Sequence, residues 1–333
     1  MRDARQKVVI ALRRLLLLGI LGLSAVNFQA LADPPTKDYY RIVVLSDLHL
    51  PGSNYAAKET MLDMINSASD VDLVVALGDI CLDNGNPDEY QIAKAYFGKL
   101  KVPLLCPVVG NHDYLYEDLK KDGKRVRALP EIRAAKLERF KKTFSLTELY
   151  YSKRVGSYLF IFLSTDELYN SYLTAISAEQ LEWLNAQLHQ NRNLPTIIFF
   201  HAPLEGTLTG NNSVVKDLNY MAQPRAGIKS LLAENPQVFL WVSGHDHLAP
   251  TNAAFNHPLN LYQHQVYNLH CPNLSGSSFL SEDDWSTKKH SLLWANSLYL
   301  YPDKVRIRTY DFTNQRWLTE HDRVIRPNIL DNK

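Results

Sequence analysis

Five short apolar runs stand out along the chain, and polar residues follow each of them directly. The runs cover residues 41–45, 73–77, 103–109, 196–200 and 238–242. Runs of this length, rich in β-branched and aromatic residues, are typical of buried β-strands. The residues that follow them are mainly Gly, Asp, Asn and His.

Between these runs the apolar positions recur with helical spacing. Helices are predicted over Tyr55–Ser67, over 87–100 with Asn86 as N-cap, and over 178–188 with Ser177 as N-cap. Because helices alternate with strands, the pattern predicts βαβ crossovers and a mostly parallel core.

After residue 247 the pattern becomes that of β structure. Residues 291–301 and 304–312 flank a Pro-Asp turn, and the second of these strands alternates apolar and polar positions. Residues 150–162 predict another pair of strands, which turns near Gly156.

Metal-ligand side chains follow all five apolar runs, at the strand ends where sites in α/β sheets gather. In an extended segment, residues two apart point the same way, so each Asp-x-His or His-x-His pair would face one cavity. One such pair is weak evidence, but five strand ends of this kind indicate a site. The residues concerned are Asp47, His49, Asp79, Asn111, His112, Asp113, His201, His245 and His247.

The ordered set of these motifs resembles the calcineurin-like metallophosphoesterases, from about residue 41 to residue 247. The resemblance implies an α/β fold with a two-sheet β-sandwich core flanked by helices. We expect one metallophosphoesterase domain over residues 38–333, with the C-terminal β region 260–333 completing the second sheet. The 291–312 hairpin and the 150–162 strands would both lie in that second sheet.

The resemblance also implies a dinuclear metal site. Asp47, His49, Asp79 and His247 would hold one ion, and Asp79, Asn111, His201 and His245 the other. Two ions about 3.5–4 Å apart turn a bridging water into hydroxide, which attacks phosphorus. Mixed nitrogen and oxygen ligands without thiolates suit Mn, Fe or Zn, and the sequence does not choose between them.

Three further residues of the site are assigned by their position beside the ligands. His112 is the predicted catalytic residue, which would hold a phosphoryl oxygen or protonate the leaving group. Asp113 would orient its neighbours or only cap the following turn. The family often has an acid three residues after the aspartate that is shared by the two ions, which is Asp79 here. In this chain that position is Leu82, and the acid comes one residue later, at Asp83. Asp83 would reach His112 only through a bulged turn.

Two segments interrupt the alternation of strands and helices. Residues 114–143 are dense in Lys and Arg. They would form either a cap that attracts anionic substrate or, as we favour, a solvated helix. Residues 202–223 are rich in Gly, Asn and Thr and would form a loop that contacts substrate.

The cysteines and the remaining histidines are expected to lie outside the site. The chain has 3 cysteines, so at most one internal disulfide is possible. Cys106 is expected to be a buried small hydrophobe and Cys81 a packing residue, although its place near Asp79 would also suit a ligand. Among the other histidines, His270 beside Cys271 is the first to check.

The N-terminal segment has the layout of a secretory signal peptide. Residues 1–32 combine a basic start, an apolar core and an Ala30-Leu31-Ala32 cleavage site. The apolar core is shorter than the about 20 residues that span a bilayer. We therefore expect cleavage after Ala32, a periplasmic or secreted location, and no stable membrane span.

Charge bears on the partners of the mature chain. Residues 1–32 carry five basic side chains and one acidic, so the remainder of the +1 chain has a net charge of −3. Such a chain has no general attraction to nucleic acid. The expected partner is a small phosphoester.

The sequence thus predicts an exported, metal-dependent phosphohydrolase for phosphomonoesters or phosphodiesters, such as nucleotides or glycerophosphodiesters. A nuclease of the same family and a non-catalytic metal-binding interaction module are the alternatives. The lack of a basic bias counts against the nuclease. The complete set of ligand positions counts against the non-catalytic module.

Overall fold

Two six-stranded β-sheets form the centre of the molecule. The computed structural model describes residues 38–209, 213–281, 284 and 286–328, so the predicted signal segment lies outside the described residues. Within these ranges, every helix is too short or too polar to cross a membrane.

The first sheet combines three N-terminal strands with three C-terminal ones. They are β1 (Tyr40–Leu45), β2 (Val71–Leu77), β3 (Leu105–Val108), β12 (Trp294–Leu300), β13 (Val305–Asp311) and β14 (Arg316–Ile325). The strand order is β14-β13-β12-β1-β2-β3. Strands β1, β2 and β3 are parallel, whereas β12 pairs antiparallel with β1 and continues into an antiparallel meander.

The second sheet comes from the middle of the chain. It contains β4 (Tyr151–Val155), β5 (Tyr158–Phe162), β6 (Thr196–Phe199), β7 (Val238–Ser243), β8 (Leu261–Tyr262) and β9 (Val266–His270). The order is β4-β5-β6-β7-β9-β8, with β5, β6, β7 and β9 parallel. A separate two-stranded sheet pairs β10 (Ser277–Ser278) with β11 (Lys288–Lys289).

Helices connect the strands and cover the sheets. They are α1 (Tyr55–Ser67), α2 (Pro87–Phe97), α3 (Asn111–Tyr114), α4 (Pro130–Phe144), α5 (Ala178–Gln190), α6 (Ser213–Lys216) and α7 (Arg225–Ala233). Short 3-10 helices cover Leu218–Tyr220, Ala253–Asn256 and Pro258–Asn260. Both predicted caps are present: Asn86 accepts from the Glu89 amide, and Ser177 accepts from the Gln180 amide.

The buried side chains form three layers. One apolar cluster lies between the two sheets and includes Val44, Val75, Phe162 and Phe199. A second cluster packs α1, α2 and α4 on the outer face of the first sheet. A third packs α5 and α7 on the outer face of the second sheet. The predicted α/β fold, a two-sheet sandwich flanked by helices, is confirmed.

The prediction that the C-terminal hairpin shares a sheet with the 150–162 strands is wrong. The hairpin strands β12 and β13 join β1 in the first sheet, whereas β4 and β5 join β6 in the second. Strand β12 lies between β1 and β13, which is why all of its residues are buried. The region 260–333 is therefore divided, since only β8 and β9 extend the second sheet.

Candidate metal centre

The predicted ligands converge where the parallel strands of both sheets end. Three overlapping groups of carboxylates and imidazoles occur there, and within each group the ligand atoms lie within 4.8 Å of one another. The groups are Asp47 with His49 and His247, His49 with Asp79 and His112, and Asp79 with His201 and His245. The shared residues join the groups into one continuous centre.

Asp79 lies between the two ends of this centre. Its Oδ1 accepts a hydrogen bond from the His112 amide at 2.8 Å, which leaves Oδ2 facing the imidazoles. Oδ2 lies 3.3 Å from His201 Nε2 and 3.8 Å from His49 Nε2. At the first end, His247 Nε2 lies 3.3 Å from Asp47 Oδ1. Asp79 thus has the position of a carboxylate that contacts both ligand groups.

The backbone at the strand ends is not extended, contrary to the sequence argument. The φ angle is 52° at Asp47, 46° at His49, 47° at Asp79, 70° at His245 and 51° at His247. Residues other than glycine rarely adopt these angles, and such strain clusters at functional sites. The chain turns sharply after each strand, and this turn aims the side chains into the centre.

Two glycines allow the strand-end loops to touch. A Cβ atom at Gly244 would collide with Ser46 Oγ and approach Asp47, and one at Gly110 would collide with Asp79. Any larger residue at either position would push the ligand loops apart. The glycines of the Gly-Asn-His-Asp and Gly-His-x-His motifs therefore have a packing role.

Backbone carbonyls fix the orientation of the ligand imidazoles. The contacts are His49 Nδ1 to Leu82 O at 3.2 Å, His201 Nδ1 to Leu77 O at 2.9 Å, His247 Nδ1 to Ser277 O at 3.1 Å, and His245 Nε2 to Asn219 O at 2.9 Å. A ring nitrogen that hydrogen-bonds to a backbone carbonyl carries the ring proton. The other ring nitrogen then keeps its lone pair, with which it can bind a metal ion. The other ring nitrogen is Nε2 in the first three residues and Nδ1 in His245, and the Nε2 atoms of His49 and His247 lie 3.2 Å apart.

The electrostatics of the centre favour the protonation state that metal binding requires at Asp47, Asp79, His49 and His245, whereas the pKa values of His201 and His247 are raised by the neighbouring carboxylates. Burial lowers the pKa of His49 to about 3 and that of His245 to about 4, so both rings stay neutral. Burial opposes ionisation of Asp47 and Asp79, yet the neighbouring imidazoles hold the pKa of each carboxyl below its usual value. At His201 burial is outweighed by the Asp79 carboxylate, which raises the pKa of the ring to about 10.

The donor atoms fit a pair of metal ions. Asn111 Oδ1 is buried and has no hydrogen-bond partner among the described residues, and His201 Nε2 is buried against the carboxylates, 3.3 Å from Asp79 Oδ2. Buried polar atoms are nearly always paired, so each such atom needs an explanation. The raised pKa of His201 shows that the surrounding carboxylates favour a positive charge at this ring, and a metal cation would supply one.

His112 lies in one of the three groups, next to His49 and Asp79. Its ring is edge-on to His49 with centroids 4.6 Å apart, and its Nε2 lies 4.0 Å from Asp79 Oδ2. Its Nδ1 lies 2.9 Å from Leu82 O. Burial lowers the pKa of His112, so the free ring is neutral and presents Nε2 to the centre.

The expectation that Asp83 reaches His112 is not met. Its carboxylate pairs with Lys120 at 2.8 Å and with Arg125 at 2.9 Å. The Leu82 carbonyl lies beside His112 instead of an acid. Leu82 stands three residues after Asp79, at the position where the family often has that acid.

Asp113 both caps a turn and joins two loops. It is fully buried and accepts hydrogen bonds from the Gly110 amide at 2.8 Å and the Cys81 amide at 2.9 Å. Burial, with the nearby Asp79 charge, raises its pKa to about 7. Asp113 therefore ties the loop after β3 to the loop after β2.

The three cysteines and His270 are not members of the three groups found in the described part of the chain. Cys81, Cys106 and Cys271 are buried free thiols, and none belongs to the three ligand groups. His270 is also outside these groups and lies 3.4 Å from Asp246.

Sequence reasoning missed Lys58. This lysine of α1 is fully buried, and its ammonium donates to the carbonyl of Leu48, between Asp47 and His49. The available signal was its position, since Lys58 shares the buried face of α1 with Met61, Leu62 and Ile65 at helical spacing.

Comparisons with known proteins bear on the family and the fold of the chain. A family model described as calcineurin-like phosphoesterase matches residues 40–249. A dimetal phosphatase from Danio rerio superposes with a TM-score of 0.55 at 14% identity, covering 88% of this chain and 100% of that one. GAP50, described as the anchor in the inner membrane complex of Plasmodium, superposes with a TM-score of 0.56 at 14% identity, covering 89% and 94%.

At these identities the structural likeness shows the fold alone, and no curated protein matches the chain significantly. The family match carries more weight, because it includes every predicted ligand from Asp47 to His247 and covers more than half of the chain. The chain therefore belongs to the calcineurin-like phosphoesterases.

Proposed function

We propose that the protein is a dinuclear-metal phosphohydrolase that cleaves small phosphoesters. The observation that carries the proposal is the placement of Asp79 between two groups of imidazoles and carboxylates. The unpaired Asn111 Oδ1 in the same centre adds to it. A structural hydrogen-bond network would have satisfied this atom.

The ligands divide into two sets that share Asp79. Asp47, His49, Asp79 and His247 would hold one ion, and Asp79, Asn111, His201 and His245 the other. Bound there, Mn, Fe or Zn would supply a nucleophile at neutral pH and offset the charge that develops on phosphorus. The carbonyls of Leu77, Leu82, Asn219 and Ser277 hold the imidazoles in place for this purpose.

His112 is the residue we assign to proton transfer or to a phosphoryl oxygen. Its Nδ1 is held by the Leu82 carbonyl, so Nε2 is the atom available to substrate. An anionic phosphoester beside the ring would favour its charged form and oppose the lowering of its pKa by burial. His112 would then donate its Nε2 proton to the leaving oxygen.

Two alternatives differ in their partner. A nuclease would need cationic surface along a nucleic acid, and the net charge of −3 after removal of residues 1–32 from the +1 chain counts against it. A non-catalytic interaction module gains support from the fold likeness to a Plasmodium protein described as an anchor. The complete and geometrically convergent ligand set favours the hydrolase.

We further propose that the protein is exported. The basic, apolar and small-residue segments of residues 1–32 support a cleaved signal, and the site would then work in the periplasm or outside the cell.

Turnover before and after metal removal tests the proposed function. The purified chain would be assayed on p-nitrophenyl phosphate, its bis ester and a panel of nucleotides. Hydrolysis that is lost on chelation and restored by Mn, Fe or Zn supports the proposal. Failure to hydrolyse any of these esters with any of the three metals would contradict it. A salt-dependent DNA-binding assay separates the nuclease.

A further inference from the structure

A short antiparallel arm, residues 116–127, follows the α3 turn that carries Asn111 and His112. Bridges between Tyr116 and Arg127 and between Lys121 and Lys124 define its two strands. The Glu117 amide donates to the Val126 carbonyl at 2.8 Å, which continues the ladder between these bridges. The arm occupies part of the segment for which a cap and a solvated helix were both considered.

The arm is tied to the loop that follows Asp79. The Asn84 side chain donates to the carbonyls of Glu117 and Asp118, each at 2.8 Å. Asp83 adds ion pairs to Lys120 and Arg125. The base of the arm is therefore fixed relative to the candidate metal centre.

One face of the arm is turned toward His112. The Tyr116 ring lies edge-on to His112 with centroids 5.6 Å apart, and the Arg125 guanidinium lies 5.7 Å from the centre of the Tyr116 ring. Arg127 stands directly opposite Tyr116 in the bridge, so both side chains leave the same face of the arm. The side chains on the face beside His112 are therefore those of Tyr116, Arg125 and Arg127.

Arg127 has unused binding capacity. Its NH1 atom is buried without a hydrogen-bond partner, and no ion pair to Arg127 occurs among the described residues. Arg125, by contrast, already shares the Asp83 carboxylate with Lys120. A buried guanidinium nitrogen without an acceptor is costly, and a phosphoryl group offers oxygens in the geometry that the guanidinium fork matches.

We propose that Tyr116, Arg125 and Arg127 form a subsite for a second phosphoryl group of the molecule whose phosphoester is held at the metal centre. The inference rests on the proposed function and narrows it. The substrate class would be organic diphosphates and bisphosphates. One phosphoryl group would occupy the centre, and Arg127, assisted by Arg125, would bind the other.

Two phosphonates that differ only in the number of anionic groups test the subsite. Methylphosphonate carries one such group and methylenediphosphonate two, and neither has a hydrolysable ester bond. Titration calorimetry on the metal-loaded protein would measure both affinities for wild type, Arg127→Gln, Arg127→Lys and Arg125→Gln. The matched controls are Lys121→Gln and Lys124→Gln, which remove one positive charge each from the exposed tip of the arm.

We expect wild type to bind the diphosphonate more tightly than the monophosphonate. Arg127→Gln should reduce this ratio about tenfold or more, since hydrogen bonds to charged groups contribute about 1.5–3 kcal/mol. Arg127→Lys should fall in between, because lysine keeps the charge without the fork. Thermal unfolding of each variant identifies any that has lost its fold, and Arg125→Gln then gives an independent comparison.

Equal affinity of wild type for the two phosphonates would overturn the inference. An equal loss in the tip lysine variants would also overturn it, because that result would indicate general charge attraction. The binding comparison requires no turnover, so it can be read even if the ester panel shows no hydrolysis. Hydrolysis of the panel by wild type, with no diphosphonate preference, would leave the proposed function intact while rejecting the subsite.

Discussion

His112 differs from the predicted ligands in the role assigned to it more than in its surroundings. It shares one of the three groups with His49 and Asp79, and its Nδ1 faces the Leu82 carbonyl, as that of His49 does. Its position suits either an acid that protonates the leaving group or a group that binds a phosphoryl oxygen. Leaving groups of different basicity do separate these roles.

For His112→Ala we expect both metals to be retained and turnover to fall. The loss on a natural alkoxide leaving group should be about 10²–10⁴-fold, the usual contribution of general acid catalysis. A p-nitrophenolate leaving group needs little protonation, so its loss should be much smaller. Turnover on both esters, with metal content measured in parallel, tests this. Equal losses would point to phosphate binding, and a lost metal would make His112 a ligand.

Lys58 is a second residue whose chemistry can be tested in isolation. Burial lowers its pKa from 10.5 to about 7. Between these values the unfolded chain binds a proton that the folded chain has released, so stability rises with pH across this window. Below about pH 7 both states bind the proton, and the full penalty for a buried charge applies.

We therefore expect the free energy of unfolding of wild type, relative to Lys58→Met, to increase between pH 7 and pH 10. The increase should be at most about 4 kcal/mol, because one proton changes the stability by at most about 1.36 kcal/mol for each of the three pH units. Chemical unfolding of both proteins at the two pH values measures it. A difference between the proteins that is the same at both pH values would show that Lys58 is charged throughout.

At the scale of elements, the loop after β2 depends on a single carboxylate. Glu89, in the first turn of α2, accepts from the amides of Asp83, Asn84 and Gly85 at 2.8, 3.1 and 2.9 Å. The same loop contributes the Leu82 carbonyl to His112 and anchors the arm through Asn84. The loop is thus a support for both the centre and the proposed subsite.

Glu89→Ala should lower the free energy of unfolding by about 2–4 kcal/mol, because it leaves buried amides without their charged acceptor. The matched control is Glu131→Ala, an exposed acid in the first turn of α4. That change should cost only about 0.3–1 kcal/mol through the lost interaction with the helix dipole. Chemical unfolding of the two variants at neutral pH compares them, and similar costs would contradict the role given to Glu89.

The elements differed in how far they could be predicted from the sequence. The sequence predicted β1, β2 and β7 clearly. A strand that is covered on both faces has a continuous apolar sequence, which is easy to recognise. Caps such as Asn86 were predictable because they act within one turn of their own helix. The arm was not predicted, since its ladder depends on Asn84 and Asp83, far away in the sequence.

At the scale of the whole molecule, a local sequence pattern does not indicate which of the two sheets a strand joins. The alternation of Val305 and Ile307 with arginines predicted a half-buried strand, and β13 is one. Its membership of the first sheet follows from the pairing of β12 with β1, a contact between opposite ends of the chain. The motif order identified the centre, but the left-handed backbone at Asp47, His49 and Asp79 required the packed loops.

The proposed export of the whole chain has a direct test. The basic start, apolar core and Ala30-Leu31-Ala32 predict that the mature protein begins at Asp33. N-terminal sequencing of protein recovered from the cell envelope or medium should find that residue. Mature protein that retains Met1 would contradict the prediction.

The central claim is that one centre, with Asp79 at its middle, binds two metal ions and hydrolyses phosphoesters. Elemental analysis and ester turnover on the same preparations of wild type, Asp79→Ala and His264→Asn test it most directly. His264 is an exposed histidine with φ 58°, an angle that Asn tolerates, and so serves as the control. We predict two ions per chain and turnover in wild type and in His264→Asn, and loss of turnover and of most bound metal in Asp79→Ala. A full metal content in Asp79→Ala, or an active wild type without tightly bound metal, would contradict the account.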